Sequence, residues 1–474
     1  MKLKILPVLF FVCTISLSAE EKIENLIAGY FKNNLDLLTL SADMDNAILN
    51  NKSAKISNGF SIQLASGSIE ISRNEKDKTE ISFAPSTSIT FPQANNLTAS
   101  VSSSIKLLDG SKEKATTKLS LSADLISGNA AKRSITLEES KRSVLVAQRN
   151  LQNGFINAET EFYENLKKLY KIGMNITSAQ KDLYEDNLDF EKIQAQGYST
   201  GSTKYRLAKM EVLSSQRKVD LYQHELERET RIFAGKCGYS VSTNAADFLP
   251  SVIPQVEALN IKDFPKENFT KTENAVWNAY INQKKRDADY DFTLSANAGY
   301  TFDNEIHNDK FKNTVDLGTS LTWLKTGLTA NAGVSIPTDN SNPKYIFGLT
   351  IIPNQFRLNK ISKEQEAVAA NKEKIQITSS KTDYVTTVIS QRTTLSDLKW
   401  NKEKNKEIFD MYDTLEKDSA VNLEKGYITE SEYNSVKANK ENYRIQCLID
   451  DIEFILYNNT TKLYFTRDEE LKHE

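Results

Sequence analysis

The same turn occurs twice in this chain, at equivalent points of two similar halves. Gly197-Tyr198-Ser199-Thr200 recurs 229 positions later as Gly426-Tyr427-Ile428-Thr429. Around each copy the pattern runs in one order: a short helix, a cluster of alternating strands, a very long helix, the turn, and a returning helix. That order limits the fold sharply. Long helices with narrow apolar stripes bury little by themselves, and strand clusters with one apolar face need a second apolar surface to lie against.

Composition narrows the setting. The 474 residues carry a formal charge of −3, with basic and acidic residues interspersed, so there is no electrostatic footprint for nucleic acid. A hydrophobic share of 39% argues against disorder, and 9 prolines with 17 glycines leave room for long uninterrupted elements. Residues 1–19 are built like a secretory signal peptide, with Lys2 and Lys4, an apolar run over 5–15, then small Ser16, Ser18 and Ala19. The run is short for a membrane span, and Phe11 and Val12 before Cys13 do not suit a lipidation site. An exported chain of this kind is free in the periplasm, secreted, or built into the outer membrane as a barrel. Cys237 and Cys447 sit at different offsets from their turns, so the duplication does not pair them. Free thiols are expected, with a disulfide the alternative in an oxidising compartment.

Four runs in each half alternate with period two, over 59–126 and 291–353. Ile62 and Leu64, Ile81 and Phe83, Ala99 and Val101, Leu119 and Leu121 mark the first set. Ala296 and Ala298, Leu317 and Leu321, Ala332 and Val334, Phe347 and Leu349 mark the second. The residues between are mostly Ser, Thr and Asn. Alternation alone fits a soluble sandwich equally well. The leader, charged tips at 73–78, 109–114, 303–313 and 338–344, and short turns at 92–96 and 324–327 favour a membrane barrel.

Helices are expected over 130–196 and 357–425, each roughly 100 Å long at 1.5 Å per residue. Leu151, Phe155, Phe162, Leu166 and Leu169 stripe the first; Ile375, Val385, Ile389 and Leu395 form a thinner stripe on the second. Helices at 20–57 and 203–236, stacked end to end, match one long helix in length. Those at 266–289 and 429–465 do the same. The expected organisation is a signal peptide (1–19), repeat 1 (20–237), a linker (238–264) containing Pro250 and Pro254, repeat 2 (265–466) and a charged tail (467–474).

This order of elements and the paired turns resemble the TolC-type outer-membrane efflux channel family. The family's turn reads Gly, two residues, Ser or Thr, two residues, then an acid. Gly426, Thr429 and Glu432 match it fully; Gly197 and Thr200 match in the first half, where Thr203 replaces the acid. The resemblance implies an α+β membrane protein, with an outer-membrane β-barrel joined to a long periplasmic α-helical coiled-coil barrel, built from two tandem repeats. It implies a homotrimer in outer-membrane lipid, exporting substrates passively for an efflux or type I secretion system. Gly197, Tyr198, Thr200, Gly426, Tyr427 and Thr429 would form tips docking on a periplasmic adaptor (membrane fusion) protein, with an inner-membrane transporter engaged indirectly. Glu432 would line the pore gate, and the bland alternative is an acid that caps a helix start. One departure stands out: the family carries two strands per half, and four runs occur here.

No enzyme, cofactor or metal site is expected. His224, His307 and His473 lack ligand spacing. Gly197-x3-Gly201-Ser202-Thr203-Lys204 resembles a phosphate loop only in the wrong order, and Asp287, Asp289 and Asp291 read as boundary residues. The competing function is a periplasmic coiled-coil adaptor or scaffold without a barrel, which would show a single helical hairpin on one β-rich module.

Overall fold

The computed structural model describes residues 19–73, 78–109, 111–239, 248–305, 310–311, 313–339 and 341–466. The leader at 1–18, the tail at 467–474, His307 and His473 lie outside them. The chain divides into two compact units, one from 1–41, 149–270 and 383–474, the other from 42–148 and 271–382.

The second unit holds the strands. They are β1 (Ser61–Ala65), β2 (Ile69–Arg73), β3 (Thr79–Phe83), β4 (Ser86–Phe91), β5 (Leu97–Leu108) and β6 (Ser111–Ile126), then β7 (Phe292–Glu305), β8 (Lys310–Phe311), β9 (Thr314–Trp323), β10 (Leu328–Pro337) and β11 (Lys344–Ile351). All join one antiparallel sheet, ordered β1-β4-β5-β6-β7-β9-β10-β11, with β2–β3 extending the β1–β4 hairpin and β3 pairing with β5. The hairpin is interrupted between Ala65 and Ile69 on one strand and at Ala84-Pro85 on the other, where proline has no N–H for the ladder. Counting each interrupted pair as one strand, four ribbons come from each half. The 109–114 tip is shorter than expected, because β6 already begins at Ser111. At the other end of the sheet, Asn96 Nδ2 donates to Asp124 Oδ2 at 2.6 Å, and Arg133 binds the Pro92 carbonyl and Asn96, tying the 92–96 turn to the helix that follows β6.

That helix is α3 (Asn129–Ala195), which begins in the sheet unit and continues in the other. In the sheet unit it packs Ile135 against Ile281 and Ala288 of α5 (Thr270–Asp287) and its end, with α4 being Thr203–Lys236. Arg142 forks onto Glu273 and lies 5.2 Å from the Trp277 ring, and Arg286 forks onto Glu373 at 2.9 and 3.0 Å. Bidentate guanidinium–carboxylate pairs fix direction as well as distance. Lys132–Asp289 and Lys325–Asp291 ion pairs account for two of the three acids at the helix–strand junction.

The helical unit is built from α1 (Ala19–Asn33), most of α3, α4, part of α6 (Asn354–Glu424) and α7 (Glu430–Leu463). The helix expected over 20–57 is broken at Asn34. Its Oδ1 accepts from the N–H groups of Asp36 and Leu37 at 2.9 and 3.1 Å, capping α2 (Leu35–Ser57) and ending α1. Phe162 of α3 is fully buried and touches the rings of Tyr30, Tyr163 and Phe233 at centroid distances of 5.7, 5.2 and 5.2 Å. Leu166, Leu169, Ile445 and Ile452 extend this core. The thin stripe of α6 stays bare: Ile375, Val385 and Ile389 are all more than half exposed. Cys237 is buried, Cys447 is half-buried, and both are free thiols; burial pushes them up to about 12 and about 11.

Phe162→Ala should cost the helical unit about 3–5 kcal/mol, a large-to-small change at a site with no room to collapse. Phe155→Ala, 43% exposed on the same stripe, should cost far less. Urea unfolding followed by helical circular dichroism checks the contrast.

Candidate functional site

The sheet register sorts its residues into two faces. One row crosses all eight ribbons as Ile62, Ile89, Ala99, Leu121, Ala298, Leu317, Val334 and Tyr345. The next residue along gives the opposite face: Gln63, Ser88, Ser100, Ser120, Gly299, Asp316, Ser335 and Lys344. Side chains alternate across a strand, so the pairings make one face apolar from edge to edge and the other polar. The polar face is cross-linked by side chains: Ser100 to Ser120 at 2.6 Å, Ser320 to Asn331 at 2.6 Å, Ser335 to Asp316 at 2.7 Å, and Thr90 to Thr98 at 3.0 Å.

Aromatic residues bound the apolar face. Phe292 and Trp323 meet at 6.4 Å at the helix end, and Tyr300 and Phe302 meet at 4.4 Å toward the far end. Ten residues separate Phe292 from Phe302, a height of about 25 Å for a strand tilted by about 40°. Between the belts lies a shallow apolar trough of about 650 Å³, lined by Leu121, Ala298, Leu317, Val334 and Phe347 among others. Among the described residues no helix is long and apolar enough to cross a membrane.

The two helical turns are built differently. Gly197 and Gly426 both adopt left-handed backbone, with φ of 76° and 72°, a conformation that side chains bearing a Cβ resist. At the second turn Gly426 N–H donates to Leu423 and Tyr427 N–H to Asn422, closing the end of α6. Thr429 then caps α7 in a capping box. Its hydroxyl accepts from Glu432 N–H at 3.3 Å, and Glu432 Oε2 accepts from the Thr429 N–H at 2.8 Å and its hydroxyl at 3.0 Å. These bonds hold the Glu432 carboxyl below the usual range. In the first turn the cap is Ser202, accepting from Tyr205 N–H, while Thr200 lies two residues before it. No acid occupies the position that would complete a box there. Tyr198 accepts from Lys204 Nζ at 3.1 Å, and Tyr427 stands 76% exposed.

Sequence reasoning missed a polar layer between the helices. Asp450 and Asp451 are buried on α7, where Asn405 donates to Asp450 at 2.8 Å and Lys402 to Asp451 at 2.6 Å. Burial raises the Asp450 carboxyl. Beside them a cleft of about 800 Å³ is lined by Lys171, Asn401, Asn405, Asn442 and Gln446. The adjacent acids Asp450 and Asp451 inside the largely apolar run Leu448–Ile455 were the available signal. Nearer the turn, Lys440 bridges Asp413 and Glu416 at 2.6 Å each, and Lys417 also holds Asp413. No group of acids, histidines or cysteines among the described residues is placed to hold a metal.

Charge on the apolar face should be costly in lipid. Lys at Val101, Leu121, Ala298 or Leu317 should destabilise by about 2–4 kcal/mol near the midplane, with Lys at Ser88 or Ser122, on the polar face, costing far less. Urea titration after folding into vesicles reads the difference, and equal tolerance at both parities would place these strands outside a membrane. Asp413 supplies a pH test. Lys417 and Lys440 lower it from the ordinary 3.8 to about 2. Its stabilisation of the α6–α7 hairpin is therefore complete above the ordinary value and lost as pH falls through about 2. Amide exchange on the hairpin should rise below pH 4, and Asp413→Asn should flatten that response.

Residues 26–256 match the family described as TP096X N-terminal domain, and 254–468 match the TP096X C-terminal domain. No curated protein matches the chain in sequence. Among solved structures, the outer membrane protein VceC of Vibrio cholerae is similar over 94% of this chain and 96% of its own, at 12% identity and a TM-score of 0.52. The outer-membrane channel OprN (13% identity, 94% and 89% covered, TM-score 0.49) and the CmeC outer membrane channel of Campylobacter jejuni (12%, 96% and 90%, 0.48) follow. At such identities the likeness is one of fold, and the first of the three shows it. The chain thus matches both TP096X domains in tandem and has the fold of the outer membrane protein VceC.

Proposed function

We propose that this chain is the outer-membrane channel of a multi-component efflux or type I secretion system, passing substrates passively once coupled to a periplasmic adaptor and an inner-membrane pump. The observation that carries this reading is the two-faced sheet. One face is apolar across eight ribbons and belted by aromatics; the other is lined with hydroxyls and amides. Hydrocarbon on one side and water on the other satisfies both. The VceC fold supports the same reading, because that protein is an outer membrane protein.

In this reading, residues 1–19 direct export, and residues 20–237 and 265–466 form tandem repeats joined by 238–264. Three copies close the barrel and stand twelve helical rods around a periplasmic tunnel. The exposed stripe at Ile375, Val385 and Ile389 then packs against a neighbouring copy. Each copy uses different surfaces on its two sides, and such heterologous contacts close by cyclic symmetry. Gly197, Tyr198, Thr200, Gly426, Tyr427 and Thr429 form the docking crown for the adaptor, Tyr427 being the most exposed aromatic there. Three copies of Glu432 ring the mouth. Mutual repulsion pushes their carboxyls up, and the capping bonds oppose it, keeping the ring charged and attractive to cations.

Outer-membrane fractions should contain a heat-modifiable trimer, and native mass in mild detergent should show three chains; a monomer alone would sink the reading. In planar bilayers, Glu432→Ala should lower cation selectivity and weaken block by multivalent cations. Unchanged values would leave Glu432 as a capping acid only.

A further inference from the structure

The two free edges of the sheet carry an inference that rests on the channel reading and extends it to the size of the cargo. Every residue of β1 and β2 on one edge, and of β11 on the other, is exposed, and among the described residues neither edge has an outer partner strand. Both edges are apolar, with Ile62, Leu64, Ile69 and Ile71 facing out on one and Phe347, Leu349 and Ile351 on the other. Long apolar edges with unmade backbone hydrogen bonds are what natural sheets avoid unless another strand covers them.

Three features select a second copy of this chain as the cover. The path from edge to edge has eight antiparallel ribbons, so β1 and β11 run in opposite directions. Laying β11 of one copy against β1 of the next therefore continues the antiparallel ladder. The register also puts Ile62 and Tyr345 on one face and Gln63 and Lys344 on the other, so joining the edges keeps both faces continuous. Finally, Glu70 on β2 pairs through Ser82 to Lys106 on the polar face, the face of Lys344. Neither Glu70 nor Lys344 has an ion-pair partner among the described residues, and their charges are opposite.

We propose that β11 pairs antiparallel with β1–β2 of the next copy, with Ile351 level with Ile62 and Lys344 level with Glu70. Each copy then contributes eight strands to the pore, twice what the two-strands-per-half pattern would supply. Three copies close 24 strands. At about 4.8 Å between strands and a tilt of about 40°, the barrel is about 150 Å around and about 48 Å across its backbone. The wall facing the lumen is mainly Ser, Thr, Asn and Gly. Such a vestibule is wide and nearly neutral, suited to bulky polar cargo.

Paired cysteines test the edge contact in intact outer membranes. Gln63→Cys with Thr350→Cys, opposed and on the polar face in this register, should give covalent dimers and trimers under mild oxidant. The parity-mismatched pair, Gln63→Cys with Leu349→Cys, and each single variant should not. If the opposed pair and its two-residue shift, Gln63→Cys with Gly348→Cys, both fail to cross-link while the heat-modifiable trimer persists, the edge pairing is wrong and the channel reading stands. Loss of the trimer in the unaltered protein would overturn both. Width is read separately, by adding polyethylene glycols on the outer side in planar bilayers. Polymers of radius about 15 Å should lower conductance if the barrel has 24 strands; exclusion of all polymers above about 8 Å would overturn the wide vestibule.

Discussion

Strand register is the constraint on which this protein depends. Side chains alternate, so a slip of one residue in any pairing would send that strand's apolar set to the polar face. The fold guards against this with side-chain bonds that form only in the observed register, such as Ser100–Ser120 and Ser320–Asn331, and with irregularities at Lys106/Leu107 and Asp124/Ile126 that pin the long β6 strand. The polar face thereby does two jobs. It holds the register, and it offers a hydroxylated surface of the kind that water wets.

The helical unit answers a different problem. A single helix presents only a stripe, and stripes are too narrow to make a core in pairs. Aromatic residues widen the contact: Phe162, Tyr163 and Phe233 fill space that leucines at the same positions would leave open. Where the aromatic core ends, the helices are joined by charge and amide contacts, including Lys440 with Asp413 and Glu416, and Asn405 with Asp450. Buried carboxylates contribute little net stability, but they are costly to leave unpaired, so they favour one alignment of α6 and α7 over its neighbours.

The turns show how similar sequences come to differ in structure. Both glycines take the left-handed conformation that ends a helix, and this was readable from their place after a long apolar stripe. The caps that follow were not equally readable. Thr429 has Glu432 three residues on and completes a reciprocal box, whereas Thr200 has Thr203 there, and the start of α4 passes to Ser202. The two caps therefore lie two residues apart relative to their glycines.

Much of the molecule is decided by local chemistry that a sequence displays. Period-two runs marked the strands, uninterrupted apolar spacing marked α3 and α6, and the Ser-rich intervening positions marked the polar face. Asn34 escaped notice because the short polar stretch Lys32-Asn33-Asn34 is compatible with a continuous helix; only its bonds to Asp36 and Leu37 make it a cap. The buried Asp450 and Asp451 escaped for the same reason, since a carboxylate's cost depends on which amide or ammonium group another helix brings to it. By itself the sequence determined which residues alternate and which repeat, because those are properties of one strand or one helix. Only the tertiary structure decided that eight ribbons share one sheet in one register, with both edges bare among the described residues, because pairing joins residues far apart in the chain and no local pattern names the partner.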